Sequence, residues 1–164
     1  MARLPILRYP DPRLSRPCVP VTEFGPVLRQ LADDLLETMR AAPGVGITAG
    51  HVGIALRVVV LELLPGKPLV YVNPEILSHS ADTMRHVEGS VSMPGFTEEV
   101  ERPGAIRFGY QDLAGGAHEE DAKDFHAICV QHEIDQLDGI FWLKRLSRLK
   151  RDRLIRKWQK QNGA

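Results

Sequence analysis

The chain has 164 residues, of which 43% are hydrophobic and 26% are charged, a composition typical of one globular domain. Its formal net charge is zero and its two cysteines, Cys18 and Cys129, lie far apart, which excludes a strongly polyionic protein and a secreted disulfide framework. No apolar run approaches the roughly 20 residues that a membrane span requires, and the first residues lack the layout of a signal peptide. We therefore expect a single cytoplasmic domain over residues 1–164, with no membrane partner.

The first predicted helix lies within residues 25–44, where leucine and methionine recur at helical intervals. Pro26 suits its first turn, and Pro43 with Gly44 stops it. Residues 55–63 and 69–77 are rich in branched side chains and predict two strands. Residues 97–125 predict further strands, with a turn at residues 114–116.

The C-terminal part of the chain predicts two more helices. Asp124 is expected to cap a helix through residues 125–137, which Gly139 ends. Ser147 is expected to cap a basic helix over residues 147–161. Its apolar side consists of Leu154, Ile155 and Trp158. The predicted fold class is α+β: an N-terminal helix, antiparallel strands around a central helix, and a C-terminal helix.

Charge is concentrated in the last of these helices. From Ser147 onward there are seven Lys or Arg residues and one acidic residue, Asp152, a local net charge of +6. Such asymmetry can mark contact with a polyanion. A solvated helix face is the more common explanation, and charge alone favours the solvated face.

Three short stretches carry residues suited to chemistry. GVGITAGH (44–51) is a glycine-rich turn that lets the backbone approach a ligand closely, and EGSVSMPG (88–95) brackets two serines with glycines. QHEIDQLDG (131–139) places His132 directly before Glu133, as in a His-Glu-x-x-His helix, where two histidines bind a metal and the glutamate acts as general base. The second histidine position is Gln136 here.

In order and spacing these stretches resemble the peptide deformylase family from end to end, and ILRYPDPRL resembles the family's opening segment. The family's motifs are usually Gly-x-Gly-x-Ala-Ala-x-Gln, Glu-Gly-Cys-Leu-Ser and Gln-His-Glu-x-Asp-His-x-x-Gly. The resemblance implies the peptide deformylase-like fold, a monomer, and removal of the N-formyl group from the N-terminal methionine of nascent peptides. It also implies a divalent cation, Fe²⁺ or alternatively Zn²⁺, Ni²⁺ or Co²⁺.

By this resemblance the metal-ligand positions are Ser90, His132 and Gln136, where the family has Cys, His and His. A serine hydroxyl stays protonated near neutral pH, and a glutamine carbonyl is a neutral oxygen suited to hard ions. Loss of a group that merely orients a ligand reduces metal affinity or activity by about 10–100-fold, so two changed ligands should reduce it further. The sequence therefore predicts a weak or absent metal.

The resemblance also implies roles for the remaining motif residues. Glu133 is the expected general acid and base, the Val91 N–H is an expected oxyanion donor, and His51 stands where the family's glutamine donates to the oxyanion. Glu88 is expected to be a structural charge held by a buried partner such as an arginine. The expected substrate-binding positions are Gly46, Ile47, Gly89, Ile128 and Cys129.

Three rearrangements can restore chemistry to such a site. His51 can serve as a replacement ligand beside His132 and Gln136. Ser90 can act as a nucleophile activated by His132, although no residue in the sequence is identified to orient that ring. Cys129, three residues before His132 on one helical face, can supply a thiolate, although apolar packing is its expected role.

Two functions follow from these expectations. One is a peptide deformylase-like amidase of weakened or altered activity, and the other is a non-catalytic module of the same fold that binds N-acyl peptides or the ribosome. Several bacterial deformylases dock on the ribosome through a C-terminal helix, and phosphate backbones attract dense Lys and Arg. The basic residues expected to face partly outward are Arg148, Lys150, Arg151, Arg156 and Lys157.

Overall fold

The computed structural model describes residues 2–163, which form three α-helices and seven antiparallel β-strands. The helices are α1 (Pro26–Ala41), α2 (Asp124–Leu137) and α3 (Arg148–Asn162). The strands are β1 (Gly46–Thr48), β2 (Val58–Leu64), β3 (Lys67–His79), β4 (Thr83–Gly89), β5 (Thr97–Pro103), β6 (Ala105–Gln111) and β7 (Ala117–Lys123). The predicted α+β class is confirmed.

Two sheets lie around α2. The larger sheet has the order β1-β2-β3-β6-β7, so β1 is an edge strand, and β4 pairs with β5 in a separate hairpin from Thr83↔Pro103 to Gly89↔Thr97. Helix α2 contacts strands of both sheets and buries nine of its fourteen residues. The helix is therefore packed on several sides and lies at the core of the domain, with Glu133, Asp135 and Gln136 among its buried residues.

The first helix follows its sequence signals closely. It begins at Pro26, and Leu28, Leu35 and Met39 are buried against the face of the large sheet. The Gly44 N–H donates to the Met39 carbonyl, which closes the C-terminal end at 2.8 Å. The chain therefore turns out of α1 directly into edge strand β1, and this turn forms part of the site described below.

The start of α2 differs from the prediction that Asp124 caps it. Asp124 has φ +54°, and its side chain makes no capping hydrogen bond. Its N–H instead donates to the Gly104 carbonyl at 2.8 Å, which ties the helix start to the β5–β6 connection. The predicted end is confirmed, because Gly139 follows the helix at φ +79°, where a Cβ would lie 2.6 Å from the Ser15 carbonyl oxygen.

The final helix also has the predicted cap and apolar side. Ser147 Oγ accepts the Lys150 N–H at 3.3 Å, Leu154 and Trp158 are buried, and Ile155 packs against the same cluster. The Trp158 indole donates to the Tyr9 carbonyl at 3.1 Å, so α3 is fixed to the N-terminal segment. None of the helices in residues 2–163 has the length and hydropathy that a bilayer crossing requires.

Candidate active site

A cleft of about 550 Å³ opens between the α1–β1 turn, the β4–β5 hairpin and α2. Its walls are largely apolar, and the side chains exposed at its rim include Val45, Val87 and Phe125. Of the eleven residues predicted to bind metal or substrate or to act in catalysis, eight line it together: Gly46, Gly89, Ser90, Val91, Ile128, Cys129, His132 and Glu133. Ile47, His51 and Gln136 do not line it, and their side chains are buried behind its surface.

His132 reaches the cleft from α2 with a fixed ring orientation. Its Nδ1–H donates to Glu88 Oε1 at 2.8 Å, since a carboxylate only accepts hydrogen bonds. Its Nε2 lies 3.8 Å from Glu133 Oε1. Burial acts to lower the pKa of His132, but the carboxylates of Glu133 and Glu88 outweigh it and the pKa is raised. In the neutral ring, Nε2 therefore carries the lone pair that faces Glu133.

Glu88 belongs to a buried ion network that joins β4, β5 and α2. Arg102 donates two hydrogen bonds to Glu88, at 2.6 and 2.9 Å, and one to Asp135 at 2.8 Å. Arg145 donates two more to Asp135 from the other side. Burial acts to raise the pKa of Glu88, but the bonds from His132 and Arg102 outweigh it and hold this pKa at about 2. The prediction of a structural Glu88 paired with an arginine is confirmed.

Glu133 is the second buried carboxyl group of the site. Its side chain is nearly inaccessible, and among residues 2–163 its Oε2 has no hydrogen-bond partner. Burial raises the pKa of Glu133 to about 7, with His132 lowering it and Glu88 raising it. Gly46 makes this placement feasible, because a Cβ there would lie 3.3 Å from the Glu133 Cδ and 2.8 Å from Leu61.

The hydrogen-bonding role of Nδ1 in His51 is opposite to its role in His132. Its Nδ1 accepts the Thr48 N–H at 2.9 Å, and the Thr48 hydroxyl lies 3.0 Å away. Burial and the charge of His132 lower the pKa of His51 to about 3, so the ring is neutral and carries its single proton on Nε2. That Nε2–H is buried and finds no acceptor among residues 2–163.

The remaining candidates are engaged elsewhere. Ser90 Oγ accepts the Ser92 N–H at 3.1 Å, and no hydrogen bond joins Ser90 to His132 in the described chain, so the nucleophilic pairing is not formed. Glu88 is nevertheless the group that orients His132, which the sequence did not identify. Burial raises the pKa of Cys129 to about 12, reinforced by Glu133 and Glu88, and the side chain packs in the core. This position does not favour a thiolate.

These positions do not fit the divalent cation that the family resemblance implies. Across residues 2–163, no three His, Cys, Asp or Glu side chains are grouped so as to hold a metal. Gln136 is buried and donates its amide hydrogen to the Leu14 carbonyl at 2.7 Å. Its neutral amide oxygen is then the only atom of its side chain that can bind a metal. Among the expected ligands, His132 alone has a nitrogen that can bind a metal, and only while its ring is neutral.

An α+β domain in which a helix presents adjacent His and Glu side chains to an apolar cleft is typical of a class of hydrolases. The chain belongs to the peptide deformylase family: residues 3–152 match the family model described as polypeptide deformylase.

Individual relatives agree with this assignment. The chain is 67% identical to a peptide deformylase-like protein of Agrobacterium fabrum, over 99% of both chains, and 44% identical to a peptide deformylase of Afipia carboxidovorans, over 98% of this chain and 96% of the relative. It is also similar to the crystal structure of the Ehrlichia chaffeensis peptide deformylase in complex with actinonin, with a TM-score of 0.91, 36% identity and full coverage of both chains.

The ion network yields a stability prediction. We expect Arg102→Met to reduce the free energy of unfolding by about 3–5 kcal/mol, because it leaves Glu88 and Asp135 charged and buried without their partner. Arg107→Met is the matched control, since Arg107 pairs with exposed carboxylates at the surface and should change stability by less than about 1 kcal/mol. Urea unfolding monitored by fluorescence compares the two; equal midpoints would show that the network contributes no more than a surface pair.

Proposed function

We propose that this protein binds the N-formyl-methionyl end of peptides in the cleft, as a deformylase-family member in which hydrolysis is slow or lost. One observation carries the proposal: an apolar cleft retains the His132–Glu133 pair, while the family's remaining ligand positions hold neutral side chains. Recognition needs the cleft and its hydrogen-bonding groups, whereas fast hydrolysis needs an activated water.

The apolar part of the cleft suits a methionine side chain. Leu61, Met93, Ile128 and Cys129 line it and are all buried, so an unbranched thioether entering there would contact apolar atoms on several sides. Gly89 allows the hairpin that forms one wall to pack closely, because a Cβ there would lie 3.1 Å from the Phe96 carbonyl oxygen. The pocket therefore supports selection by side-chain shape and apolarity.

Edge strand β1 supports binding of the peptide backbone. It pairs only with β2 within the described chain, and the Thr48 N–H is taken by His51 Nδ1 at 2.9 Å, so we propose that an extended peptide pairs with β1 at Gly46, which lines the cleft. This assigns a main-chain role to Gly46, whereas Ile47, also expected to bind substrate, is wholly buried in the core. The N–H group of Val91, which lines the cleft, is then the proposed donor to the acyl carbonyl.

A titration with formyl-Met-Ala-Ser tests recognition. We expect saturable binding that is weaker for the same peptide without the formyl group. Phe125→Ala should weaken it about fivefold, because this rim side chain, 39% exposed, offers about 1 kcal/mol of further apolar burial. Leu149→Ala, an exposed apolar residue on α3, is the control and should leave the dissociation constant unchanged. No saturable binding by the wild type would refute the proposal.

A second candidate is slow amide hydrolysis, favoured by the placement of Glu133. This carboxyl group, with a pKa of about 7, can both accept and return a proton near neutral pH. Without activation the attacking water keeps its pKa of about 15.7, so the expected turnover is far below that of a metal-activated enzyme.

Formate release from the same peptide measures this candidate. Any turnover should fall by about 100-fold or more in Glu133→Gln, which removes proton transfer while keeping the shape of the side chain. Glu75→Gln, at an exposed position on β3, should retain the wild-type rate. Equal formate release by wild type and Glu133→Gln would exclude Glu133 as the base.

Contact with the ribosome through α3 remains a proposal, supported by the exposure of its basic side chains. Arg156 and Lys157 are exposed, and Lys150 and Arg151 are half-buried, while Leu154 and Trp158 hold the opposite side of the helix to the domain. Polyanion contacts of this kind weaken as salt rises.

Cosedimentation with ribosomes tests the proposed contact. We expect salt-sensitive binding that Arg156→Glu with Lys157→Glu abolishes. Lys67→Glu with Lys123→Glu makes the same charge change at exposed positions on β3 and β7 and should retain binding. Identical sedimentation of both double variants would exclude α3 as the contact.

A further inference from the structure

The strength of a metal site depends on the charge and basicity of its donor atoms. In the family pattern an anionic thiolate and two neutral imidazoles hold the cation, all of them strong donors to borderline divalent ions. Here the corresponding atoms are the Ser90 hydroxyl, the His132 imidazole and the Gln136 carbonyl. The set has lost its only negative charge and one of its two nitrogens.

The hydrogen bonds of the two replacements reinforce this loss. Ser90 Oγ already accepts the Ser92 N–H at 3.1 Å, and further electron donation from a protonated hydroxyl is weak. Gln136 is fixed by its 2.7 Å bond to the Leu14 carbonyl, and both of these partners are backbone groups that cannot move independently of the fold. Neither residue readily becomes a stronger donor by losing a proton, because a serine hydroxyl and a glutamine amide are far less acidic than a cysteine thiol.

His51 does not replace the lost ligand. A neutral imidazole has one protonated nitrogen and one lone pair, and the lone pair of His51 is occupied by the Thr48 N–H at 2.9 Å. Coordination through Nε2 would require the proton to move to Nδ1, where it would face the Thr48 amide proton. The Nε2 atom of His51 is therefore a buried hydrogen-bond donor without an acceptor in the described chain.

We infer that this member of the family holds no resident divalent cation, and that His51, the expected replacement ligand, instead keeps a proton on its buried Nε2. This inference does not depend on the proposed peptide binding. It follows from which atoms of Ser90, Gln136 and His51 carry protons and which lone pairs are already used. The buried Glu133 Oε2 is likewise without a partner in residues 2–163.

The metal content of the purified protein shows whether a divalent cation is resident in the site. Wild-type protein and a Ser90→Cys/Gln136→His double variant are produced in medium containing iron, zinc, nickel and cobalt, purified anaerobically, and analysed by elemental mass spectrometry. We expect less than about one metal ion per ten wild-type chains and close to one per chain of the double variant. The Kd for added Zn²⁺ should differ between them by about 100-fold or more, because two direct ligands are restored.

A second readout reports the proton on His51. In ¹⁵N NMR spectra the wild-type His51 ring should show a protonated Nε2 and an unprotonated Nδ1, with no change on addition of Zn²⁺. A near-stoichiometric metal in the wild type, lost in His132→Ala, would overturn the inference, as would a zinc-dependent shift of His51 Nε2. The wild-type measurements decide the matter even if the double variant misfolds. Failure of peptide binding in the earlier titration would leave them unaffected.

Discussion

The buried ion pair between Glu88 and Arg102 is the interaction on which the geometry of this site depends. It joins β4 to β5, and through Asp135 it joins both strands to α2. Charges this far from water are tolerated only while each keeps its partner, because an uncompensated buried charge is strongly destabilising. The same Glu88 carboxylate accepts the Nδ1 proton of His132, so the position of the helix and the orientation of the imidazole are set by one group.

Because the ion network holds the helix and the imidazole in place, the shape of the site does not depend on the metal-ligand residues. A carboxylate behind a histidine commonly orients the ring for a cation, and here the same bond directs Nε2 toward Glu133. Ser90 and Gln136 form their hydrogen bonds with backbone groups outside the ion network. Both can therefore differ from the family pattern while the network, the helix and the cleft remain in place. A fold match accordingly establishes the family and leaves the reaction to be argued from the site itself.

Local patterns predicted the elements whose residues carry a regular signal. Apolar spacing located α1, and Ser147 marked the start of α3. Strand β4 was missed because Thr83–Gly89 is largely polar and has no run of branched residues; it is held by its pairing with β5. The predicted cap at Asp124 was wrong because capping depends on backbone conformation, and φ is +54° there.

For the site, the motifs placed His132 beside Glu133. The link from Glu88 through Arg102 to Asp135 spans three elements and has no local signature in the sequence.

His51 shows why residue type alone does not decide the chemistry of a site. Imidazole is a common metal ligand, and a histidine in the first motif suggested that a ligand had been regained. Whether a neutral imidazole can bind a metal through Nε2 depends on the hydrogen-bond partner of its other nitrogen, Nδ1. His132 donates there to a carboxylate and so presents a lone pair, whereas His51 accepts there from the Thr48 amide and so presents an N–H. A protonated nitrogen cannot bind a cation, so the histidine of the first motif does not restore the ligand that its residue type suggested.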